Sequence, residues 1–172
     1  MPPPADFRQV GHSFPPIQQC GRYNGRISYW RLFAIENVIR IIAHTLLITQ
    51  YPREWVSSTI SKDKYAYLEH RKASYRSQPA GSTPGPHDVY YLSLSDLTKI
   101  VANHADLFRL TMPYVDVDSW IARLERVHLP RNLVAHMNWP NDNDRAEIER
   151  LYRETRSLHR LLQRNGFPFQ VP

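Results

Sequence analysis

Arg131 and His136 stand five residues apart in the segment Arg-Asn-Leu-Val-Ala-His, and their side chains suit chemistry on a phosphodiester. An imidazole exchanges protons near neutral pH, and a guanidinium group stabilises negative charge that builds up on phosphoryl oxygens. Pro130 favours a helix start at this point, since proline is preferred at a first helical position. Five residues turn a helix by about 140°, so Arg131 and His136 need not share one face within a single chain.

A second pair with the same spacing, Arg123 and His128, lies immediately upstream. With 18 Arg and 8 His in the chain, composition alone predicts about one such pair by chance. The downstream pair differs because Asn132 directly follows Arg131 and because Pro130 places that arginine in a first helical turn. Two interpretations stay open: a catalytic pair, or a helix-start cation beside a partly buried histidine.

The motif of Arg131, Asn132 and His136 resembles the R-x(4–6)-H motif of the HEPN superfamily (higher eukaryotes and prokaryotes nucleotide-binding domains), whose members favour a polar residue after the arginine. The helices predicted over residues 28–165 are similar to the HEPN arrangement. This resemblance implies a metal-independent endoribonuclease that works as a homodimer with the two motifs facing each other. It also implies products that carry a 2′,3′-cyclic phosphate and a 5′-hydroxyl.

The same resemblance implies a role for each motif residue. His136 is the general base and acid, Arg131 stabilises the phosphoryl transition state, and Asn132 orients the phosphate or the imidazole. Toxins of the HEPN–nucleotidyltransferase pairs often carry a tyrosine two residues after the histidine, which their antitoxin modifies. Asn138 stands at that position here, so the chain departs from that subfamily while it keeps the arginine and the histidine.

Glu36, Arg40 and His44 recur every fourth residue of the first predicted helix and therefore form one polar stripe. Some HEPN members use an acidic residue on an early helix to support the site. The resemblance thus implies that Glu36 orients Arg131 or His136. The alternative interpretation is a solvated helix face that carries one ion pair.

Arginines also line one face of the last predicted helix, opposite its apolar stripe. Such a row could follow an RNA backbone and would make binding salt-dependent, or it could simply solubilise the helix. Trp139, next to the motif, could stack on a base or form a wall against the last helix. The residues predicted to contact RNA are Trp139, Arg153, Arg156, Arg160 and Arg164, with Arg145 at the start of the same row.

The apolar periodicity predicts an all-α fold, an antiparallel HEPN-like bundle of about five helices behind an irregular N-terminal arm. Residues 1–27 are rich in Pro, Gly and Gln and form the arm, and residues 28–172 form a single domain. The first helix is expected to turn Trp30 and Phe33 inward. The predicted helices run from a Ser28 cap to about Gln50, from Arg53 to about Ser77, from a Ser95 cap to Met112, from an Asp118 cap through Val127, over residues 131–139, and from caps at Asn141–Asp144 to about Arg164, with Gly166 as the stop.

The composition narrows the class of protein. Lys and Arg total 22 against 16 Asp and Glu, a net charge of +6 that suits an anionic partner such as RNA. The single cysteine, Cys20, excludes an internal disulfide framework and a cysteine-based zinc finger. No apolar signal region is visible, and three polar side chains interrupt the most apolar stretch, Ile35 to Ile48. The sequence therefore predicts a cytoplasmic protein without membrane contact, metal or cofactor.

Three functions fit these patterns. The first is a HEPN-type endoribonuclease in defence or growth arrest, homodimeric, whose partners are RNA and a cognate antitoxin or a larger defence complex. The second is a non-catalytic HEPN module that mediates dimerisation and binds a nucleotide or a protein. The third is a basic helical nucleic-acid binder in which the arginine row matters and the motif is accidental.

Overall fold

The computed structural model describes residues 2–10, 13–52, 54–78 and 81–172. Over these ranges the backbone is helical or irregular and contains no strand, which confirms the all-α prediction. A π-helical turn (Gly25–Tyr29) joins the first two helices, and a 3₁₀ turn (Asp88–Tyr91) precedes the fifth. The α-helices of the described residues are α1 (Phe14–Asn24), α2 (Trp30–Gln50), α3 (Trp55–Thr59), α4 (Lys62–Arg76), α5 (Leu94–Asn103), α6 (Ala105–Thr111), α7 (Val117–Arg126), α8 (His128–Ala135) and α9 (Asp142–Arg164).

The expectation of about five helices is wrong, because several predicted helices divide. The second predicted helix becomes α3 and α4, and its predicted start at Arg53 lies outside the described residues. The third becomes α5 and α6, which meet at His104 with non-helical backbone angles. Val127, whose backbone angles stay in the right-handed helical region, separates α7 from α8. The helical bundle is thus assembled from short segments around two long helices, α2 and α9.

The prediction of an irregular arm over residues 1–27 is wrong from Phe14 onward. Two prolines stand at the first positions of α1, where a missing N–H costs no helical hydrogen bond. The helix then continues through the π-helical turn into α2, so Ser28 is buried inside a continuous helix and does not cap one. Residues 2–10 are irregular as expected. That residues 28–172 form a domain of their own stays a prediction.

Helix α2 is the central element of the core. Its buried face differs from the predicted one, since Trp30 is 41% exposed and Phe33 is 64% exposed. Trp30 packs edge-on against Tyr152 of α9 and donates a hydrogen bond to the carbonyl of Arg26. The large apolar residues of α2 that are buried in the core are Leu32, Ile35, Ile39, Ile42, Leu46 and Leu47.

Caps define the helix ends that matter for the site. Ser93 caps α5 with a reciprocal bond to Asp96, and Asp116 caps α7, each two residues before the predicted cap. The end of the first predicted helix at Gln50 is confirmed. Asn141 and Asp144 form a capping box at the start of α9, an arrangement that stabilises a helix by about 1 kcal/mol. Gly166, with φ +70°, follows the end of α9 as predicted.

One helix of the described residues, Phe14–Gln50, is long and apolar enough to cross a bilayer, with a mean hydropathy of 1.6 in its most apolar window. Half of that window is buried inside the protein, and core helices of soluble proteins have the same length and composition. A cytoplasmic location stays a prediction.

Candidate functional site

The segment that carries the motif is a short helix with a sharp exit. Pro130 and Val134 of α8 are buried and anchor the helix, and the Arg131 N–H donates to the carbonyl of Val127. His136 is the residue that ends α8, so the motif helix is shorter than the predicted 131–139. Met137 then adopts φ 59°, in the left-handed region, and the Asn138 N–H returns to the carbonyl of Leu133. Helix α8 begins at His128, two residues before the predicted start at Pro130, so Arg131 is its fourth residue and His136 directly follows its last residue.

Arg131 is held by two partners. Its Nη2 lies 3.4 Å from Glu36 Oε2 on α2, and its Nη1 lies 3.4 Å from Asn132 Oδ1. Glu36 also pairs with Arg40, whose Nη2 donates in turn to the carbonyl of Leu92 at 3.1 Å. The structure thus brings three of the predicted site residues, Glu36, Arg131 and Asn132, into one hydrogen-bonded group.

The interpretation of the Glu36 stripe as a solvated face is wrong. The side chains of Glu36 and Arg40 are only 13% and 12% exposed. His44, the third member, is buried and accepts a hydrogen bond from Trp55 Nε1 at 3.0 Å on its Nδ1. Burial, together with a smaller effect of the neighbouring His87, lowers the pKa of His44 to about 4. His44 is therefore a neutral core residue, whereas Glu36 and Arg40 form a charged network.

A cavity of about 370 Å³ opens beside this network. Its polar lining is made by Glu36, Asn37, Arg40 and Arg131, so both charges of the Glu36–Arg131 pair face it. The apolar lining is made by Tyr29, Leu32, Phe33, Val134, Ala135 and Met137. A cavity with an apolar wall and a few convergent polar groups is the usual form of a ligand site.

His136 does not line the cavity that Arg131 lines. Its side chain is exposed and has no hydrogen-bond or ion-pair partner among the described residues. The separation follows from the helix geometry, because five residues carry the chain well around the helix axis. One copy of the chain therefore presents the arginine and the histidine of the motif on different sides of α8.

Large apolar side chains surround the motif in exposed positions, which sequence reasoning missed. Phe33 is 64% exposed, Met137 is 78% exposed, and Tyr29 is more than half exposed, all three at the cavity mouth. Leu129 on α8 is 76% exposed. A cluster of this kind commonly marks an interaction surface. The available signal was the i, i+4 spacing of Tyr29 and Phe33, which equally fits a core face.

The upstream pair has a different environment. Arg123 donates from Nε to the carbonyl of Ser119 at 2.9 Å and pairs with Glu154 at 3.2 Å. His128 Nε2 lies 3.2 Å from Thr98 Oγ1, and burial lowers the pKa of His128. Because the Thr98 hydroxyl donates to the carbonyl of Leu94, the imidazole is the donor to Thr98. Both members of this pair are engaged inside the fold.

The predicted arginine row on α9 divides into paired and unpaired members. Arg145 bonds to Asp142 and lies over the rings of Trp139 and Tyr23, at 5.1 and 5.8 Å. Arg153 donates to Glu149 at 2.8 Å. Within the described residues no ion pair involves Arg156, Arg160 or Arg164, and the first two line a shallow groove of about 350 Å³ against α2. Trp139 is half-buried, 5.8 Å from Tyr23.

Comparison of the chain with protein-family models, with curated proteins and with solved structures gave no match. In the part of the chain that the structure describes, no three His, Cys, Asp or Glu side chains are grouped to hold a metal ion.

Proposed function

We propose that the protein is a metal-independent endoribonuclease of the HEPN type, acting in defence or as a toxin-like protein, with its site formed across a homodimer. The observation that carries this proposal is the placement of Arg131. Its guanidinium group is paired with Glu36, lies close to Asn132 and lines an open cavity. A phosphate that enters this cavity meets an oriented cation with N–H groups free to bind it.

The reaction uses only groups of the chain. His136 takes the proton of a 2′-hydroxyl, and the 2′-oxygen attacks the adjacent phosphorus. The bond from phosphorus to the 5′-oxygen breaks, and the leaving oxygen takes up a proton from an imidazolium. Arg131 stabilises the charge on the two non-bridging oxygens throughout, and Asn132 orients the phosphate. The products are a 2′,3′-cyclic phosphate and a 5′-hydroxyl, so atoms and charges balance without a further reactant.

A second copy of the chain completes this site. His136 does not line the Arg131 cavity within one chain, so in this proposal a two-fold axis beside α8 brings the partner's His136 to that cavity. The exposed Tyr29, Phe33, Leu129 and Met137 supply apolar area for such an interface. Arg156, Arg160 and Arg164, which lack ion pairs among the described residues, then bind the RNA backbone, and binding weakens with added salt.

Incubation of the full chain with a mixed RNA substrate in EDTA tests the proposal. We expect cleavage by the wild type with cyclic phosphate ends and no cleavage by His136→Ala. His128→Gln is the matched control, since it removes the imidazole of the upstream pair and should cleave at the wild-type rate. Equal cleavage by His136→Ala, or loss of wild-type cleavage in EDTA, would contradict the proposal.

The alternative is a non-catalytic HEPN module that dimerises and binds a nucleotide or a protein. The exposed apolar side chains at the rim of the Arg131 cavity also favour this function. Dimerisation or protein binding uses apolar surface and needs no catalytic histidine. A folded dimer that binds RNA but leaves it intact under all buffer conditions would support the alternative.

A further inference from the structure

A groove with a volume of about 590 Å³ lies along α1 and the π-helical turn. Arg22 and Arg26 contribute its charged lining, and the arm segment 2–4, which consists of prolines, contributes apolar lining. The arm is tied to α1 because Cys20 Sγ donates a hydrogen bond to the carbonyl of Ala5 at 3.4 Å. This basic groove therefore combines two cationic side chains with an apolar wall.

Arg22 and Arg26 have no counter-ion in the part of the chain that the structure describes. Positions 7–35 contain no Asp or Glu. Arg8 and Arg31, the other two arginines of this stretch, each form an ion pair, whereas Arg22 and Arg26 form none among the described residues. Both are exposed and stand four residues apart on one continuous helix, a spacing at which like charges repel each other. An anion bound in the basic groove removes this repulsion.

The side chains of the basic groove suit the phosphates of a single nucleic-acid strand. A guanidinium group binds phosphate through two parallel N–H bonds. Four residues span about 6 Å along a helix, so Arg22 and Arg26 can both contact one extended strand. Tyr23 lies between them in the sequence and also lines the groove. Aromatic side chains among basic ones are typical of surfaces that bind single strands.

Aromatic contacts connect the basic groove with the segment that follows the motif. The ring centroids of Tyr23 and Trp139 lie 5.8 Å apart, and Trp139 follows His136 by three residues. The guanidinium group of Arg145 lies over both rings, 5.8 Å from Tyr23 and 5.1 Å from Trp139. A strand that leaves the proposed reaction site past Trp139 therefore reaches the basic groove.

We propose that the basic groove binds the backbone of the RNA strand that flanks the cleaved bond, with Arg22 and Arg26 in contact with its phosphates. The proposal rests on the proposed ribonuclease function, and it adds a binding surface on the α1 side of the molecule to the arginines of α9. Arg22 and Arg26 hold the strand and take no part in the reaction. Their contacts are independent of the base, because phosphates carry no sequence information.

The salt dependence of RNA binding by the full chain tests the proposal. His136→Ala serves as the parent protein, so that a fluorescein-labelled single-stranded RNA stays intact while its anisotropy reports the dissociation constant over a series of KCl concentrations. Each phosphate contact on a single strand adds about 0.7 to the steepness of log K against log salt concentration. Arg22→Gln/Arg26→Gln should therefore make this slope less steep by about 1.4. Binding at low salt should weaken by at least about tenfold.

Two further double variants separate strand binding from net charge and from a structural role. Lys62→Gln/Arg76→Gln removes the same charge from exposed positions of α4, so it is the matched control and should keep the parent slope. Arg22→Lys/Arg26→Lys retains both charges and should keep the slope as well. Arg22→Gln/Arg26→Gln relieves a repulsion and should melt at or above the parent temperature, so its weaker binding does not come from a lost fold.

An unchanged slope in Arg22→Gln/Arg26→Gln, or an equal decrease in the α4 control, would overturn the proposal. Absence of RNA binding would overturn it too, and binding to phosphatidylglycerol vesicles in its place would assign the two arginines to a membrane surface. The expected decrease in slope, together with a wild type that leaves RNA intact, would support the basic groove and reject the ribonuclease. Cleavage by the wild type with an unchanged slope in the double variant would reject the basic groove and keep the ribonuclease.

Discussion

The chain contains two arginine–histidine pairs with identical spacing, and the fold treats them differently. Arg123, although 38% exposed, donates a hydrogen bond to the Ser119 carbonyl and forms an ion pair with Glu154, and His128 forms a hydrogen bond with Thr98. Arg131 instead lines an open cavity, and His136 is exposed without a partner among the described residues. Spacing alone therefore does not define a site. The useful distinction is which side chains line a cavity, as Arg131 does, or have no partner among the described residues, as His136 does.

Local geometry explains the difference between the pairs. The upstream pair spans the break at Val127, so Arg123 belongs to α7 and His128 to α8, and each packs against a different neighbour. The downstream pair spans α8 from its first turn to its end. There the left-handed Met137 turns the chain away and leaves His136 without a following helical turn to cover it.

The largest expected effect is a difference in RNA cleavage between variants of the downstream pair and variants of the upstream pair. Arg131→Ala and His136→Ala should each lower RNA cleavage by at least about 100-fold, because they remove charge stabilisation and proton transfer. Arg123→Ala and His128→Gln should stay within a few-fold of the wild type. Initial rates on one RNA substrate, with circular dichroism to verify folding, measure all four. A large loss of RNA cleavage in Arg123→Ala or His128→Gln would contradict the expectation that only the downstream pair takes part in the reaction.

Mixing two inactive variants tests whether the downstream pair works across two chains. If Arg131 of one chain acts with His136 of the partner subunit, half of the randomly formed dimers of Arg131→Ala with His136→Ala hold one intact site, so about a quarter of wild-type activity returns. If both residues act within one chain, no intact site forms. Cleavage rates after denaturation and refolding of the mixture distinguish these outcomes.

Substitution of Glu36 tests how much its ion pair with Arg131 contributes to the cleavage rate, and the expected effect is smaller. Glu36→Gln removes the carboxylate charge but preserves the size of the side chain, so the guanidinium group is less well oriented. We expect cleavage to fall about tenfold, the effect of one charged hydrogen bond. Glu154→Gln, which removes the partner of Arg123, is the matched control and should leave the rate unchanged.

The upstream pair should influence stability rather than activity. Burial lowers the pKa of His128, so the folded state holds it neutral, and its contribution to stability is present above about pH 6.5. That contribution is lost as the pH falls further, because the unfolded chain then binds the proton and the folded one does not. Urea unfolding at pH 7.5 and pH 5 should show a smaller acid destabilisation in His128→Gln than in the wild type. Some loss should persist, since burial also lowers the pKa values of His44, His87 and His104.

The sequence was most informative where local signals agree with the fold. The all-α class, the end of α2 at Gln50 and both ends of α9 follow from periodicity and capping residues, which act over a few positions. The helix over Phe14–Asn24 was missed because its two prolines and Gly21 favour irregular structure on average, although prolines are tolerated at helix starts. Trp30 and Phe33 were expected inside, since hydrophobicity does not distinguish a core face from an exposed interaction surface.

That Arg131, Asn132 and His136 form a functional site stays a prediction, and their spatial arrangement could not be derived from the sequence. The resemblance pointed to Glu36 as a support for Arg131, and the two are in contact at 3.4 Å. The i, i+4 spacing of Glu36, Arg40 and His44 does not indicate that Glu36 is nearly buried. Its partner Arg131 is 95 positions away in the sequence, so the contact depends on how the helices pack. The side of α8 that His136 faces depends on where the helix ends, a boundary that is least certain from sequence.

The left-handed backbone of Met137 has a consequence for how freely this region can change. A residue with a Cβ at φ 59° costs about 1–2 kcal/mol relative to a right-handed conformation, and glycine would remove most of that cost. Glycine would also remove the exposed side chain at the cavity mouth. Met137→Gly would therefore gain stability and lose apolar surface at the cavity mouth, so these two properties change in opposite directions at this position.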